Sequence, residues 1–211
     1  MTGDMAQMVN FAGWRTVEET LSSGKKPKNS RVYPMYHGTH INNAKDIIIN
    51  GFKASIDGLL GQGVYVSRNI DKAKCYPLNT DKRERVVFKL KVNVGKVKKI
   101  DCDNHPLQKS WHQNGYDSAW IPPNSNVSAI KSGREEDCVW DPIRITVIGV
   151  VCCMDNDKRW ELRRLIRNQL RTGECSLCGQ NTPDRPHHIQ DCWECSERIC
   201  LFQREHRCVS K

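Results

Sequence analysis

Six of the eleven cysteines fall after residue 174, and four of these form two Cys-x2-Cys pairs, Cys175 with Cys178 and Cys192 with Cys195. A tail of ~37 residues buries too little apolar surface to fold unaided. This spacing therefore divides the chain into a conventional domain followed by a small module with a metal core. The two pairs supply the four thiolates of one tetrahedral zinc site. Cys200, His206 and Cys208 remain, with His187 or His188 as a further ligand, so the tail can hold one or two zinc ions. The competing reading is surplus thiols with no metal.

The start of the chain, MTGDMAQMVNFAGW, has no basic segment leading into an apolar core. No stretch approaches the ~18 apolar residues of a membrane span. The expectation is a cytoplasmic or nuclear protein with reduced thiols and no membrane partner. The net charge of +9 is concentrated. Residues 82–99 hold eight cations against Glu84, and residues 158–171 hold six against Glu161. Such patches suit phosphate-rich partners, nucleic acid among them, or are simply solvated faces.

Residues 1–30 read as a lead-in, partly disordered or forming one short helix from Trp14 to Leu21. Between residues 31 and 151 the pattern is that of a mixed α+β domain. A short strand around Val32-Tyr33 and Met35-Tyr36 runs into His37-Gly38-Thr39. Asn42 can cap a helix that Gly51 stops. A glycine-rich turn, residues 58–63, precedes a strand at Val64-Tyr65-Val66. Asn69 opens a second helix that ends before Pro77. Phe88, Leu90, Val92 and Val94 alternate with polar residues, and Ile143, Ile145 and Val147 repeat that period. Residues 152–172 read as a basic linker helix with Trp160, Leu162, Leu165, Ile166 and Leu170 inward. Residues 173–211 form the zinc module.

Three stretches carry the chemistry: Tyr36-His37-Gly38-Thr39; residues 61–67, GQGVYVS, with Tyr76 eleven residues after Tyr65; and residues 135–141, EEDCVWD. Each alone is weak, because His-Gly is commonly a turn and an acidic run is commonly a solvated face. In this order and spacing they resemble the catalytic domain of the PARP-like ADP-ribosyltransferases of the His-Tyr-Glu type, over roughly residues 32–151. Within that family the stretches resemble those of the fish interferon- and reovirus-induced small PARP-like proteins. The resemblance implies a split, twisted mixed sheet with flanking helices around an NAD+ cleft, and an antiviral setting if the fish likeness holds.

It also implies roles. His37 would bond the 2′-hydroxyl of the adenosine-side ribose, and the backbone of Gly38 would pair with the nicotinamide carboxamide. Tyr76 would stack on the nicotinamide ring and Tyr65 line the other side, with Thr39 and Ser67 completing the NAD+ pocket. Glu136 would bond the 2′-hydroxyl of the nicotinamide-side ribose. Catalysis would rest on Glu136, His37 and Tyr65, because a carboxylate beside the ribose stabilises an oxocarbenium-like transition state. Strand alternation sends Glu135 and Asp137 to the face opposite Glu136.

Two features depart from the family. Ala73 stands where a serine commonly donates to the carboxamide, and the segment from Phe52 to Tyr65 leaves little lid. The short lid favours single transfer to a protein or nucleic-acid acceptor over chain elongation. One alternative is a catalytically silent module that binds NAD+, ADP-ribose or a partner, with the basic helix and zinc module recognising nucleic acid or protein. Another is a relative of the tRNA 2′-phosphotransferases, which would need cleft arginines; Arg68 and Arg134 are the candidates.

Overall fold

The computed structural model describes residues 8–9, 20–130, 133–171, 189–191, 195, 198–200 and 206–207. The chain divides into two compact units, Glu18–Arg167 and Met1–Val17 with Asn168–Lys211. In chain order the elements are β1 (Met8–Val9), β2 (Val32–His40), α1 (Ile41–Asn50), β3 (Val64–Val66), α2 (Ile70–Lys74), β4 (Arg85–Asn93), β5 (Val97–Lys99), β6 (Ser118–Ile121), β7 (Glu136–Val139), β8 (Ile145–Cys153), α3 (Asn156–Arg171), β9 (Ile189–Asp191), β10 (Arg198–Cys200) and β11 (His206–Arg207).

The larger unit is an α+β fold with two sheets. One is antiparallel in the order β2-β4-β8; the other, β3-β7-β6-β5, is mixed, because β5 and β6 run parallel. The alternating residues of β4 make it the central strand of its sheet, with Val86, Val87, Phe88, Leu90 and Val92 fully buried. The sheets meet where Tyr36 and Ser67 exchange backbone bonds of 2.7 and 2.8 Å. That junction sets the end of β2 beside the end of β3. Beneath the mixed sheet, Leu60, Ile100, Trp111, Ile121, Val127 and Cys138 form a core. The Trp111 indole donates to the Leu60 carbonyl at 2.6 Å, which ties the glycine-rich turn to that core.

Local chemistry shifts several expected boundaries. Helix α1 is capped by His40, whose Nδ1 accepts from the Asn42 backbone N–H at 3.1 Å. Because β2 continues through His40 without a loop, Asn42 falls inside the first turn. Ala44 and Ile48, four residues apart, form its buried face. Ile143 is 84% exposed in a short 3-10 turn opened by Pro142, which cannot donate to a ladder, so β8 begins at Ile145. Cys152 and Cys153 still pair with β4, and α3 starts only at Asn156. Its buried residues are Leu162 and Ile166; Trp160, two residues from Leu162, lies about 200° round the helix and is exposed beneath Arg164. The stretch from residue 20 to 31, expected to be loose, packs along the unit with Leu21 and Pro27 buried.

In the second unit, β1 pairs antiparallel with β11 and β9 with β10. Residues from both ends of the sequence therefore share one unit, which differs from a separate lead-in and tail. Cys195 and Ile199 are buried. Six of the expected zinc ligands, Cys175, Cys178, His187, His188, Cys192 and Cys208, lie outside the described residues. Cys200 is in β10 and His206 in β11. Among the described residues no three His, Cys, Asp or Glu side chains gather as a metal ion requires. Among them, too, no helix is long and apolar enough to cross a membrane.

Candidate active site

A cleft of about 400 Å³ opens at the junction of the two sheets. It is lined by residues from five separated stretches: β2 with His37 and Gly38; the loop with Ser55, Asp57 and Gly58; β3, α2 and the residues that follow them, with Tyr65, Ser67, Lys72 and Tyr76; the loop with Ala129 and Ile130; and β7 with Glu136. The volume lies in the range of small-molecule sites, roughly 300–1,000 Å³.

His37 is held on two sides. Its Nδ1 lies 2.8 Å from the Tyr65 carbonyl, and its ring meets Phe52 edge-on at 5.0 Å. Burial lowers its pKa, with the Tyr65 carbonyl opposing, so the ring is neutral at pH 7. A carbonyl can only accept, so the single ring proton sits on Nδ1 and leaves Nε2 as an acceptor. Such a nitrogen suits a ligand hydroxyl.

Gly38 is constrained by α2. A Cβ built there would stand 2.0 Å from the Ala73 carbonyl oxygen and 2.8 Å from that of Tyr76. Glycine thus lets α2, which carries Lys72, and Tyr76 just beyond its end lie directly on β2. Across the cleft the Tyr65 hydroxyl accepts from the Leu60 N–H at 2.9 Å and donates to the Gly61 carbonyl at 2.8 Å. Burial, with Cys138 adding to it, pushes that phenol far above its ordinary pKa. The ring therefore serves as a wall, and its hydroxyl braces the glycine-rich turn. Gly63 (φ 153°) has Cys138 Sγ 2.4 Å from its would-be Cβ, which allows the turn to close over β7. Tyr76 is 38% exposed at the opposite rim, its phenol raised by burial and by the Glu136 charge.

Glu136 faces the cleft, with Lys72 Nζ 2.8 Å from Oε2. The same ammonium also donates to the Glu135 carbonyl. The Glu136 carboxylate is 16% exposed and is fixed at one oxygen by this pair. Its neighbours turn away. Arg68, 3% exposed, forms a bidentate pair with Asp137 at 2.8 and 2.9 Å and reaches Glu135 at 3.1 Å. The guanidinium lies over Trp120, 4.9 Å from the ring centre, and the Trp120 N–H donates to Glu135 at 3.0 Å. Burial raises the Asp137 carboxyl to about 6 against the pull of Arg68.

The structure thus brings His37, Gly38, Tyr65, Ser67, Tyr76 and Glu136 to one cleft. It leaves out Thr39, which is buried further along β2. Ser67 is already engaged, its hydroxyl bonding the backbone of Asn69. Arg68 is not a cleft arginine, because its charge is consumed by Glu135 and Asp137 on the far face of β7; Arg134 is exposed outside the lining. That removes the ground for the phosphotransferase reading. Lys72 escaped the sequence reading; it lies within α2, the short helix capped by Asn69, and Tyr76 follows the end of that helix. Ala129 and Ile130 come from an irregular loop that offers no signal.

The family model for the poly(ADP-ribose) polymerase catalytic domain matches residues 14–140. The chain is also similar to protein mono-ADP-ribosyltransferase PARP3 of Gallus gallus, 34% identical over 117 residues, which cover 54% of this chain. It spans about a fifth of that relative's length.

Proposed function

The chain belongs to the poly(ADP-ribose) polymerase catalytic-domain family, and from that membership we propose that it is an NAD+-dependent mono-ADP-ribosyltransferase. It moves ADP-ribose to a protein or nucleic-acid acceptor and releases nicotinamide. The observation that carries this reading is the convergence of His37, Tyr65, Tyr76 and Glu136 on one cleft. Neutral His37 accepts from a ribose hydroxyl through Nε2. The two tyrosine rings flank the nicotinamide, and Gly38 presents backbone to its carboxamide.

When the glycosidic C–N bond breaks, its electron pair leaves with nicotinamide and positive charge develops on the ribose. Glu136 stabilises that charge, and its oxygen not held by Lys72 is free to orient the acceptor, which loses its proton as the new bond forms. Lys72 acts as a positioning residue that holds the carboxylate in one rotamer. The short loop carrying Ser55, Asp57 and Gly58 leaves the acceptor side open, which supports single transfer. The antiviral setting rests on the likeness to the small fish proteins.

Incubation with labelled NAD+ and cell extract, with and without nuclease, tests this. Label should enter acceptors and nicotinamide should be released in step, and both should fall in His37→Ala. Absence of both products from every extract fraction would leave the silent binding module as the better reading.

The cysteine spacing supports one or two structural zinc ions held by Cys175, Cys178, His187 or His188, Cys192, Cys195, Cys200, His206 and Cys208. Elemental analysis of the purified chain should find them. Chelation should unfold the tail while leaving NAD+ binding in place, because no cleft residue is a candidate ligand. A metal-free folded protein would end this reading.

A further inference from the structure

Residues 24–31 (GKKPKNSR) carry four cations and no carboxylate, and residues 93–100 (NVGKVKKI) carry three and none. The fold lays these stretches side by side. Ser30 N–H donates to the Gly95 carbonyl at 2.7 Å, Val94 N–H to the Arg31 carbonyl at 3.0 Å, and Val97 N–H to Asn29 Oδ1 at 3.0 Å. The base of the first stretch is pinned by Arg68, which donates to the Lys25 carbonyl at 2.7 Å. Lys25, Lys26, Arg31 and Lys96 are exposed and Lys98 half-buried. None of them lines the cleft.

The nearby carboxylates do not neutralise this edge. Asp101 pairs with Lys99 at 2.8 Å, and Asp117 pairs with Arg144 at 2.6 Å while accepting the Lys96 backbone N–H. What confines the two strand lysines is an aromatic ring: Lys96 Nζ lies 4.7 Å and Lys98 Nζ 5.6 Å from the centre of Tyr116. A carboxylate would hold an ammonium group and cancel its charge. A ring quadrupole holds it and leaves the charge intact. Two fixed, uncancelled cations lose little side-chain freedom when an anion arrives.

We propose that this edge is a docking surface for nucleic acid, gripped through its phosphates. The apolar residues within it, Pro27, Val94 and Val97, are buried, so nothing is presented for insertion into a bilayer. The Tyr116 ring lies beneath the two ammonium groups, so it is not presented as an anchor of the kind on which protein partners depend. Charge without an apolar anchor is the signature of backbone recognition in nucleic acid.

The test uses the full chain and a fluorescent single-stranded homopolymer RNA of ~20 nucleotides, titrated at several salt concentrations. The logarithm of affinity should fall with that of salt by about 0.7 per phosphate held. Lys25→Gln/Lys26→Gln/Lys96→Gln/Lys98→Gln should bind at least ~10-fold more weakly with a shallower salt slope. Tyr116→Phe should keep affinity and Tyr116→Leu lose a few-fold, as ring confinement requires. Nicotinamide release without RNA should be unchanged in the quadruple variant. Wild-type affinity and slope in that variant, or a larger loss in Arg163→Gln/Arg164→Gln/Arg167→Gln, would place any binding elsewhere and overturn the proposal. So would absence of RNA binding in low salt, or tighter binding to anionic vesicles or polyglutamate than to RNA.

Discussion

On one face of β7, Glu136 opens into a cleft with a single ammonium group beside it; on the other, Glu135 and Asp137 are sealed against one guanidinium and one indole. Three consecutive carboxylates therefore have two fates, set by the two-residue period of the strand. Glu136 keeps an oxygen available to a ligand. Both oxygens of Asp137, and Oε2 of Glu135, are taken by protein donors, so their charge serves the fold. An acidic run read as a solvated face is here neither solvated nor uniform.

The largest effect should come from the sealed face. Arg68→Met strands two carboxylates among Trp120 and the sheet interior, and breaking a buried pair from one side costs about 3–5 kcal/mol. Chemical denaturation should show a loss on that scale. A change below ~1 kcal/mol would mean that water reaches these carboxylates and that the contrast between the faces is false.

The open face should answer differently. Glu136→Gln keeps the shape and removes charge where only the transition state needs it, so ADP-ribose transfer should fall by about 10²- to 10³-fold with NAD+ affinity largely kept. Glu135→Gln should show the reverse, a less stable protein with near-normal turnover per folded molecule. Transfer must be measured together with nicotinamide release, because transfer to water would otherwise pass for inactivity. If Glu135→Gln is the inactive variant in soluble, folded protein, the division of labour across β7 is inverted.

That division was legible before any coordinates, because a period of two admits only two assignments for Glu135, Glu136 and Asp137. The strand at residues 88–94 was legible for the same reason. What alternation cannot show is which partner waits on the hidden face. Arg68 is sixty-nine residues from Asp137 in sequence, so the sequence offers it only as a candidate cleft arginine under the phosphotransferase alternative. Strand β6, Ser118–Ile121, is four residues buried on both faces, so it has no alternation to find. Gly38 was legible as backbone for the nicotinamide carboxamide, but not as the position whose missing Cβ makes room for α2. Thr39 lies buried further along β2 and Trp160 is exposed on α3; a motif or an apolar side chain carries no direction of its own, and strand and helix geometry supplies it. Lys72 and Lys74 share the short helix between Tyr65 and Tyr76, and only the fold shows that Lys72 is the one that meets Glu136. Ala129 and Ile130 were not legible, because no local pattern brings an irregular loop to a cleft.

The smallest expected effect is a dependence on pH that belongs to the sealed face alone. Burial raises the Asp137 carboxyl from 3.8 to about 6 in the folded protein. Between those values the native state keeps a proton that the unfolded chain has lost, so this group's contribution is complete below about pH 4 and is lost as pH rises through about 6. His37 acts in the opposite sense. Burial lowers its pKa from 6.5, so its contribution is present above that ordinary value and is lost as pH falls through the folded one. Because the two slopes oppose each other, the wild-type profile alone would hide both. Denaturation of wild type and Asp137→Asn across pH 4–7 separates them, since the His37 contribution cancels in the difference. Stability of the wild type minus that of the variant should decline as pH rises over this interval. A flat difference would show that Arg68 holds Asp137 ionised throughout, and a rising one that the ion pair outweighs burial, which would make the sealed face a source of stability at neutral pH.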